Sequence, residues 1–262
     1  AWREPIGQQS VAQLGWGHIT VLLDKLSDPA DRQWYADEAA KNGWTRDVLT
    51  HQIKGQLKRR VGSAPSNFTT ALPAADSELA QGLTKDPYVF EFIDAGRTLS
   101  ERHLEDALID RLRDTLEELG HGFAYLGRQV RLVVGESEYY LDLLFFHVYQ
   151  LRHVVLELKR GKFSPADAGQ LAFYVNVVDD QLRDPDNHLP TVGILLCEDR
   201  DDTTVEYALR TSASPMAVAT YSYEDLPEDV RGELPSPESV IGAVRAAVAD
   251  GHTLSEYLSD ET

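Results

Sequence analysis

The sequence predicts an α/β protein with a mixed central sheet flanked by helices, preceded by a small all-α domain. Three observations lead there. The first sixty residues read as short helices. From residue 97 a long helical pattern gives way to three extended segments, FAYLGRQVRLVV, EYYLDLLFFHVY and HVVLELKR. A further helical stretch and the short apolar run TVGILLC follow, which is the alternation of an α/β sheet.

In chain order, Asp28-Pro29 offers an N-cap and a first-turn proline ahead of ADRQWYADEAAKN. Gly43 marks a turn. Thr45 caps a helix with Val48, Leu49, Ile53 and Leu57 on one face, ending in Lys58-Arg59-Arg60, where cations suit the helix dipole or solvent and could also touch phosphate. Trp16, Trp34 and Trp44 are expected to anchor this helical core. Residues 62–78, GSAPSNFTTALPAADSE, read as a connection. Thr98 and Glu101 have capping-box spacing before a helix burying Leu104, Leu108, Leu112, Leu116 and Leu119, which Gly120 and Gly122 end. Residues 165–178 read as helix and 191–197 as strand. Ser236-Pro237 opens an amphipathic helix with Val240, Ile241, Val244 and Val248. The expected domains are therefore 1–61 (helical), 62–96 (linker and short helices), 97–226 (α/β) and 227–262 (acidic, one helix).

Composition bounds the function. The chain has 262 residues, 42% hydrophobic and 26% charged, which is ordinary for a globular protein with a sizeable core. One cysteine excludes a disulfide scaffold or a Cys-rich metal site within one chain. No apolar run approaches the ~20 residues of a membrane span, and AWREPIGQQSV lacks a signal-peptide pattern. The expectation is a soluble, cytoplasmic protein without a membrane partner. A net charge of −18 argues against nucleic acid at first sight. Its distribution softens that: net −2 over residues 1–96, −4 over 97–182 and −12 over 183–262.

Charged residues interrupt two consecutive apolar strands. Asp142 breaks YYLDLLFFHVY, and in VVLELK Glu157 and Lys159 share a face, with Leu156 and Leu158 on the other. A hairpin would bring Asp142 near Glu157. Two carboxylates converging at low dielectric repel unless a cation lies between them, and hard oxygen donors suit Mg²⁺ or Mn²⁺. A lysine beside such a pair can hold an attacking water or stabilise a phosphate under attack. On these residues alone, metal-assisted phosphodiester hydrolysis and a buried ion-pair network account for the pattern equally well. Elsewhere, Cys197 reads as a buried small residue, His147 and His153 as partly buried or surface residues, and no phosphate loop is present.

The blocks KDPYVFEFID, ERHLEDALIDRLRDTLEELGHGFAYLGRQVRL, YYLDLLFFH, ELKRGKFSPADAGQLAFYVN and TVGILLCEDRDD resemble the YhcG-like nucleases of the PD-(D/E)XK superfamily. The stretch QLGWGHITVLLDKL…WYADEAAKNGWTRDVLTHQI resembles that family's N-terminal helical domain, so the likeness runs to about Leu226. The resemblance implies a PD-(D/E)XK nuclease-like fold, a DNA substrate and a Mg²⁺ or Mn²⁺ cofactor. It implies metal ligation by Asp142, Glu157 and the carbonyl of Leu158, with Lys159 completing the E-x-K pair. Glu105 matches the acidic residue of the preceding helix, although Asp106 could equally hold that role. Gln170 and Tyr174 match a Q-x-x-x-Y pattern that supports the metal site or the scissile phosphate; Gln170 could also be a plain surface residue. Arg128, Arg131, Arg160 and Lys162 are candidates for holding the substrate backbone, Arg128 lying with Gln129 in the family-like block GRQ. The helical module is expected to position DNA, a protein partner or a second copy through self-association. A nuclease fold that binds DNA or protein without turnover is the alternative.

Overall fold

The structure, a computed structural model, describes residues 10–90, 93 and 100–223. After a 3-10 turn at Ser10–Gln13 come α1 (Trp16–Lys25), α2 (Pro29–Asn42), α3 (Arg46–Lys54), α4 (Leu57–Arg60), α5 (Phe68–Ala71), α6 (Ala74–Gln81) and β1 (Tyr88–Val89). There follow α7 (Glu101–Asp110), α8 (Leu112–Leu119), β2 (Phe123–Val134), β3 (Ser137–His147), β4 (Arg152–Leu158), α9 (Pro165–Gln181), β5 (Val192–Cys197), α10 (Asp202–Arg210) and β6 (Met216–Ser222).

The six strands form one mixed sheet in the order β1-β6-β5-β4-β3-β2. Strands β2, β3 and β4 make an antiparallel meander, whereas β4, β5, β6 and β1 run parallel. Parallel neighbours need crossovers, and α9 and α10 supply them. Strand β4 reads as an uninterrupted buried run because both its faces are covered. Val154, Leu156 and Leu158 pack with Phe68, Leu104 and Leu108 on one face, while Val155 meets Leu171 and Val175 of α9 on the other. Gly193 of β5 permits that second contact, since a Cβ there would lie 2.7 Å from Val175 Cγ2 and 2.8 Å from Leu171.

The N-terminal helices have their own core of Val21, Leu22, Tyr35, Ala36, Ala39, Leu49, Ile53 and Leu57. Asp28 caps α2 through the Ala30 N–H, with Pro29 in the first turn, and Thr45 caps α3 through the Val48 N–H. Several local expectations are corrected. Trp16 is 73% exposed, leaving Trp34 and Trp44 as the tryptophans packed on this core. The helix from Thr45 stops at Lys54 because Gln56 takes φ 50°, and a separate turn, α4, carries the basic triplet. Arg60 is neither an exposed cap nor a phosphate contact. It is buried, with its Nη1 2.6 Å from Glu118 Oε1 and donating also to the Pro87 carbonyl.

The single helix expected over 101–119 is two helices, broken at Arg111 (φ −113°, ψ 41°). Thr115 and Glu118 rather than Leu112 and Leu116 are then buried, the Thr115 hydroxyl donating to the Leu108 carbonyl. The cap is Ser100 with His103, not Thr98 with Glu101; Thr98 lies outside the described residues. Residues 62–78 carry Phe68 and Leu72 into the sheet's core. Asn67 acts as a clasp there: its amide donates to the carbonyls of Ser212 and Ser214, and its Oδ1 accepts from the Met216 N–H at 2.8 Å. Strands β1 and β6 and helix α10 had no counterpart in the sequence reading. The helix expected after Ser236 lies outside the described residues. Among those described, no helix is long and apolar enough to cross a membrane.

Candidate active site

The meander places the anomalous charges together. Leu143 pairs with Leu156 across the β3–β4 ladder, so Asp142 and Glu157 are the next cross-strand neighbours. They are interlocked: the Asp142 N–H donates to Glu157 Oε1 at 3.0 Å, and the Leu158 N–H donates to Asp142 Oδ2 at 2.9 Å. Glu157 lies on the α9 side of β4, where Gln170 Nε2 donates to its Oε2 at 3.2 Å and reaches the Tyr174 hydroxyl at 3.4 Å. Ser164, with Asp167 in a capping box and Pro165 in the first turn, fixes where α9 begins and so where Gln170 falls.

Helix α7 brings Glu101 and Glu105, one turn apart, and Asp106 next to Glu105. Glu105, 4% exposed, accepts from Gln129 Nε2 at 2.6 Å, and the same amide reaches Asp142 Oδ1 at 3.1 Å. Asp106 instead faces Arg128, 2.6 Å away. Of the two acids the sequence left open, Glu105 is therefore the one joined to Asp142. Glu101 was expected only as a capping-box partner of Thr98, with no role at the site. It accepts from the Arg160 N–H and lies 3.9 Å from Lys159 Nζ. Helical i, i+4 spacing from Glu105 was the signal that could have singled it out.

Burial is the leading influence on these acids. It pushes Glu157 well above the usual carboxylate range, and the neighbouring Asp142 adds to the effect. Burial raises Asp142 as well, against the opposing Leu158 N–H and Lys159 charge, and raises Glu105 against the Gln129 amide. All four oxygens of Asp142 and Glu157 accept one neutral donor each, which leaves lone pairs free. The cation whose charge reaches both acids is Lys159, which lies 3.9 Å from Glu101, so one positive charge is shared among three carboxylates.

That donor set fits a hard divalent cation. Among the described residues no group of three or more acidic, histidine or cysteine side chains is arranged to hold a metal ion by itself. Two oxygen-donor side chains with open positions are the arrangement suited to Mg²⁺, which keeps several waters and completes its shell with substrate phosphate.

Of the four basic candidates, the three arginines are ion-paired, whereas Lys162 only acts on Asp201 at longer range. Arg128 is paired with Asp106 and lies 3.7 Å from Glu105, Arg131 is paired with Glu138, and Arg160 is 3.1 Å from Glu198. Lys162 makes no ion pair among the described residues and joins Asp199 through a backbone bridge. A phosphate reaching any of the three arginines would replace one anion by another. His147 and His153, expected to be partly buried or at the surface, are buried at 5% and 7% exposure. His147 fits into the sheet's end by bonding the His121 carbonyl. Cys197 is fully buried, and its thiol is pushed up to about 12 by burial. A cavity of about 1420 Å³ lined by Trp34, Trp44, Leu79, Leu116 and Tyr149 shares no residue with this site.

Comparison with known proteins places these observations. Residues 81–235 match the family model described as the YhcG PDDEXK nuclease domain, and residues 1–60 match the DUF1016 N-terminal domain. A curated protein of Escherichia coli (strain K12) named as a nuclease, YhcG, is 34% identical over 219 residues, covering 82% of this chain and 57% of the relative. The chain thus spans little more than half that relative's length. Among solved structures, a repair endonuclease from Pyrococcus abyssi is similar at 18% identity and a TM-score of 0.34, over 50% of this chain and 49% of the other. A complex of EndoMS with double-stranded DNA is similar at 19% identity and a TM-score of 0.32, over 49% and 47%.

Proposed function

From the premise that the chain belongs to the YhcG PDDEXK nuclease family, we propose that it is a divalent-metal-dependent nuclease hydrolysing DNA phosphodiester bonds. The observation that carries this reading is the interlocked pair Asp142–Glu157: two neighbouring, largely buried carboxylates whose four oxygens accept only neutral donors. Residues 97–226 are the catalytic domain in this reading. Residues 1–61 are a module for DNA, a protein partner or self-association, and 62–96 connect the two. The cytoplasm is the compartment proposed.

Asp142 and Glu157, with the carbonyl of Leu158 and with Glu105 directly or through a water, would hold Mg²⁺ or Mn²⁺. When bound, that ion supplies charge stabilisation at the phosphate and makes water easier to deprotonate. Lys159 orients the attacking water by donating to it and stabilises negative charge developing on phosphate oxygens. Gln170 keeps Glu157 turned toward the site through its 3.2 Å bond and is itself steadied by Tyr174. Arg128, Arg131, Arg160 and Lys162 hold the flanking phosphates, contacts that position the strand without reading its sequence.

The test is cleavage of linear, branched and single-stranded DNA with Mg²⁺ or Mn²⁺, beside Glu157→Ala and Lys159→Ala variants. Metal-dependent products from the wild type should fall by on the order of 10²–10³-fold in either variant, the several kcal/mol that such charge stabilisation supplies. Undiminished cleavage in both variants would sink the assigned site. A wild type that binds these DNAs and cuts none would replace the reading by a binding module.

A further inference from the structure

Gln129 sits at an unusual point of the chain. Arg128 pairs with Leu143 and Val130 with Leu141 across the β2–β3 ladder, which sets Gln129 opposite Asp142. Its backbone leaves the extended region for φ 45°, in the middle of an edge strand whose register has already shifted between Tyr125 and Gly127. A left-handed residue within a strand is strained unless it is glycine, and such strain persists where the surroundings hold it in place. Here the reward is visible. The kink sends the amide between two carboxylates from different elements, Glu105 of α7 at 2.6 Å and Asp142 of β3 at 3.1 Å. No other side chain among the described hydrogen bonds joins α7 to Asp142. Gln129 is exposed, so this bridge is open to solvent and to substrate.

Resting on the nuclease reading above, we propose that Gln129 is a positioning residue of the cation site. Its amide sets the separation and facing of Glu105 and Asp142, so that both present oxygens to one divalent ion. The strained backbone at 129 is retained because only that conformation aims the amide into the gap. Gln129 acts through the two acids and does no chemistry itself. Its loss therefore changes cation affinity and turnover while leaving DNA affinity in place.

Two substitutions separate the amide from the backbone. Gln129→Gly removes the side chain and relaxes the left-handed strain; Gln129→Met keeps length and backbone preference and removes the donor. MnCl₂ titration calorimetry on the full chain without DNA reads the site independently of activity. Both variants should raise the Mn²⁺ dissociation constant by roughly 10–100-fold, the range for residues that support metal ligands. They should lower kcat while leaving KM for DNA unchanged, and Gln129→Gly should melt no lower than wild type. A wild type that binds Mn²⁺ beside variants that match it would overturn the proposal while leaving the nuclease reading intact. A Gln129→Gly variant that melts lower than wild type would overturn it too, by making Gln129 a fold residue. A wild type that binds no Mn²⁺ would overturn both.

Discussion

Glu118 and Glu157 are buried to nearly the same degree, 3% and 1% exposed, yet their surroundings are opposite. Glu118 has Arg60 at 2.6 Å, Lys85 at 3.7 Å and the Val89 N–H at 2.9 Å. Burial opposes its charge, but Lys85 and Arg60 outweigh burial and hold its carboxyl below the usual range. Glu157 has neutral donors, a neighbouring carboxylate and a share of one lysine, and its carboxyl rises. In the first site two cations surround one carboxylate, and the cluster joins the end of the N-terminal helices to α8 and β1. The second is short of positive charge in the place where hydrolysis of a phosphodiester would require a cation. Burial of a charge, taken alone, does not separate structure from function; the sign of what remains unbalanced does.

The contrast is broken most forcefully at Glu118. Glu118→Ala leaves Arg60 and Lys85 buried without their counter-charge and should cost about 3–5 kcal/mol, read by urea denaturation. Glu157→Ala, by comparison, should leave the metal-free protein as stable as wild type or more so. A Glu118→Ala loss no larger than that of Glu157→Ala would erase the distinction.

Acidity sharpens the same comparison with a smaller effect. Glu157 is pushed up to about 8 from an ordinary 4.5, so between those values the folded state binds more protons than the unfolded one. Metal-free stability should therefore fall as pH rises through that window, and Glu157→Gln, which cannot ionise, should flatten the slope. Glu118 runs the other way: its contribution is present above the usual carboxylate range and is lost as pH falls through its depressed folded value. Melting temperatures of wild type and Glu157→Gln from pH 5 to pH 8 read the first trend, and those of wild type and Glu118→Gln from pH 5 down to pH 3 read the second; slopes unchanged by either substitution would refute the contrast.

The smallest effect is expected at the arginines. Arg131 is exposed and already paired with Glu138, so Arg131→Ala should leave the melting temperature unchanged. If it meets phosphate, the slope of log affinity for DNA against log salt should become shallower by about 1. An unchanged slope would remove Arg131 from the substrate surface.

Much of this site was legible because the signals were local. Alternation in YYLDLLFFHVY and VVLELK placed Asp142 and Glu157 on strands, and a short connection made the hairpin the economical pairing. The Asp28 and Thr45 caps were readable for the same reason. What escaped depended on partners distant in sequence. Arg60 read as a surface cation because its acid lies 58 residues away, and the break at Arg111 that buries Glu118 has no glycine or proline to announce it. Strand β6 was missed although Met216–Ser222 is mostly buried, since MAVATYS is short and carries no motif. Gln129 was noticed only as a member of GRQ, because a left-handed residue inside a strand pattern leaves no trace in composition.

The clasp at Asn67 bears on how the molecule comes to exist. Its bonds to Ser212, Ser214 and Met216 close spans of 145 to 149 residues, and β1 takes its place only beside β6. At a synthesis rate of ~5–20 residues per second, Phe68, Tyr88 and Phe90 leave the ribosome roughly six to thirty seconds before the strand that covers them. Closing so large a loop is a late and slow event compared with forming the β2–β4 meander. The carboxylate hairpin can thus assemble while the sheet is unfinished. A chain stopped before Met216 would carry the site's residues on a body that keeps its aromatic side chains in water.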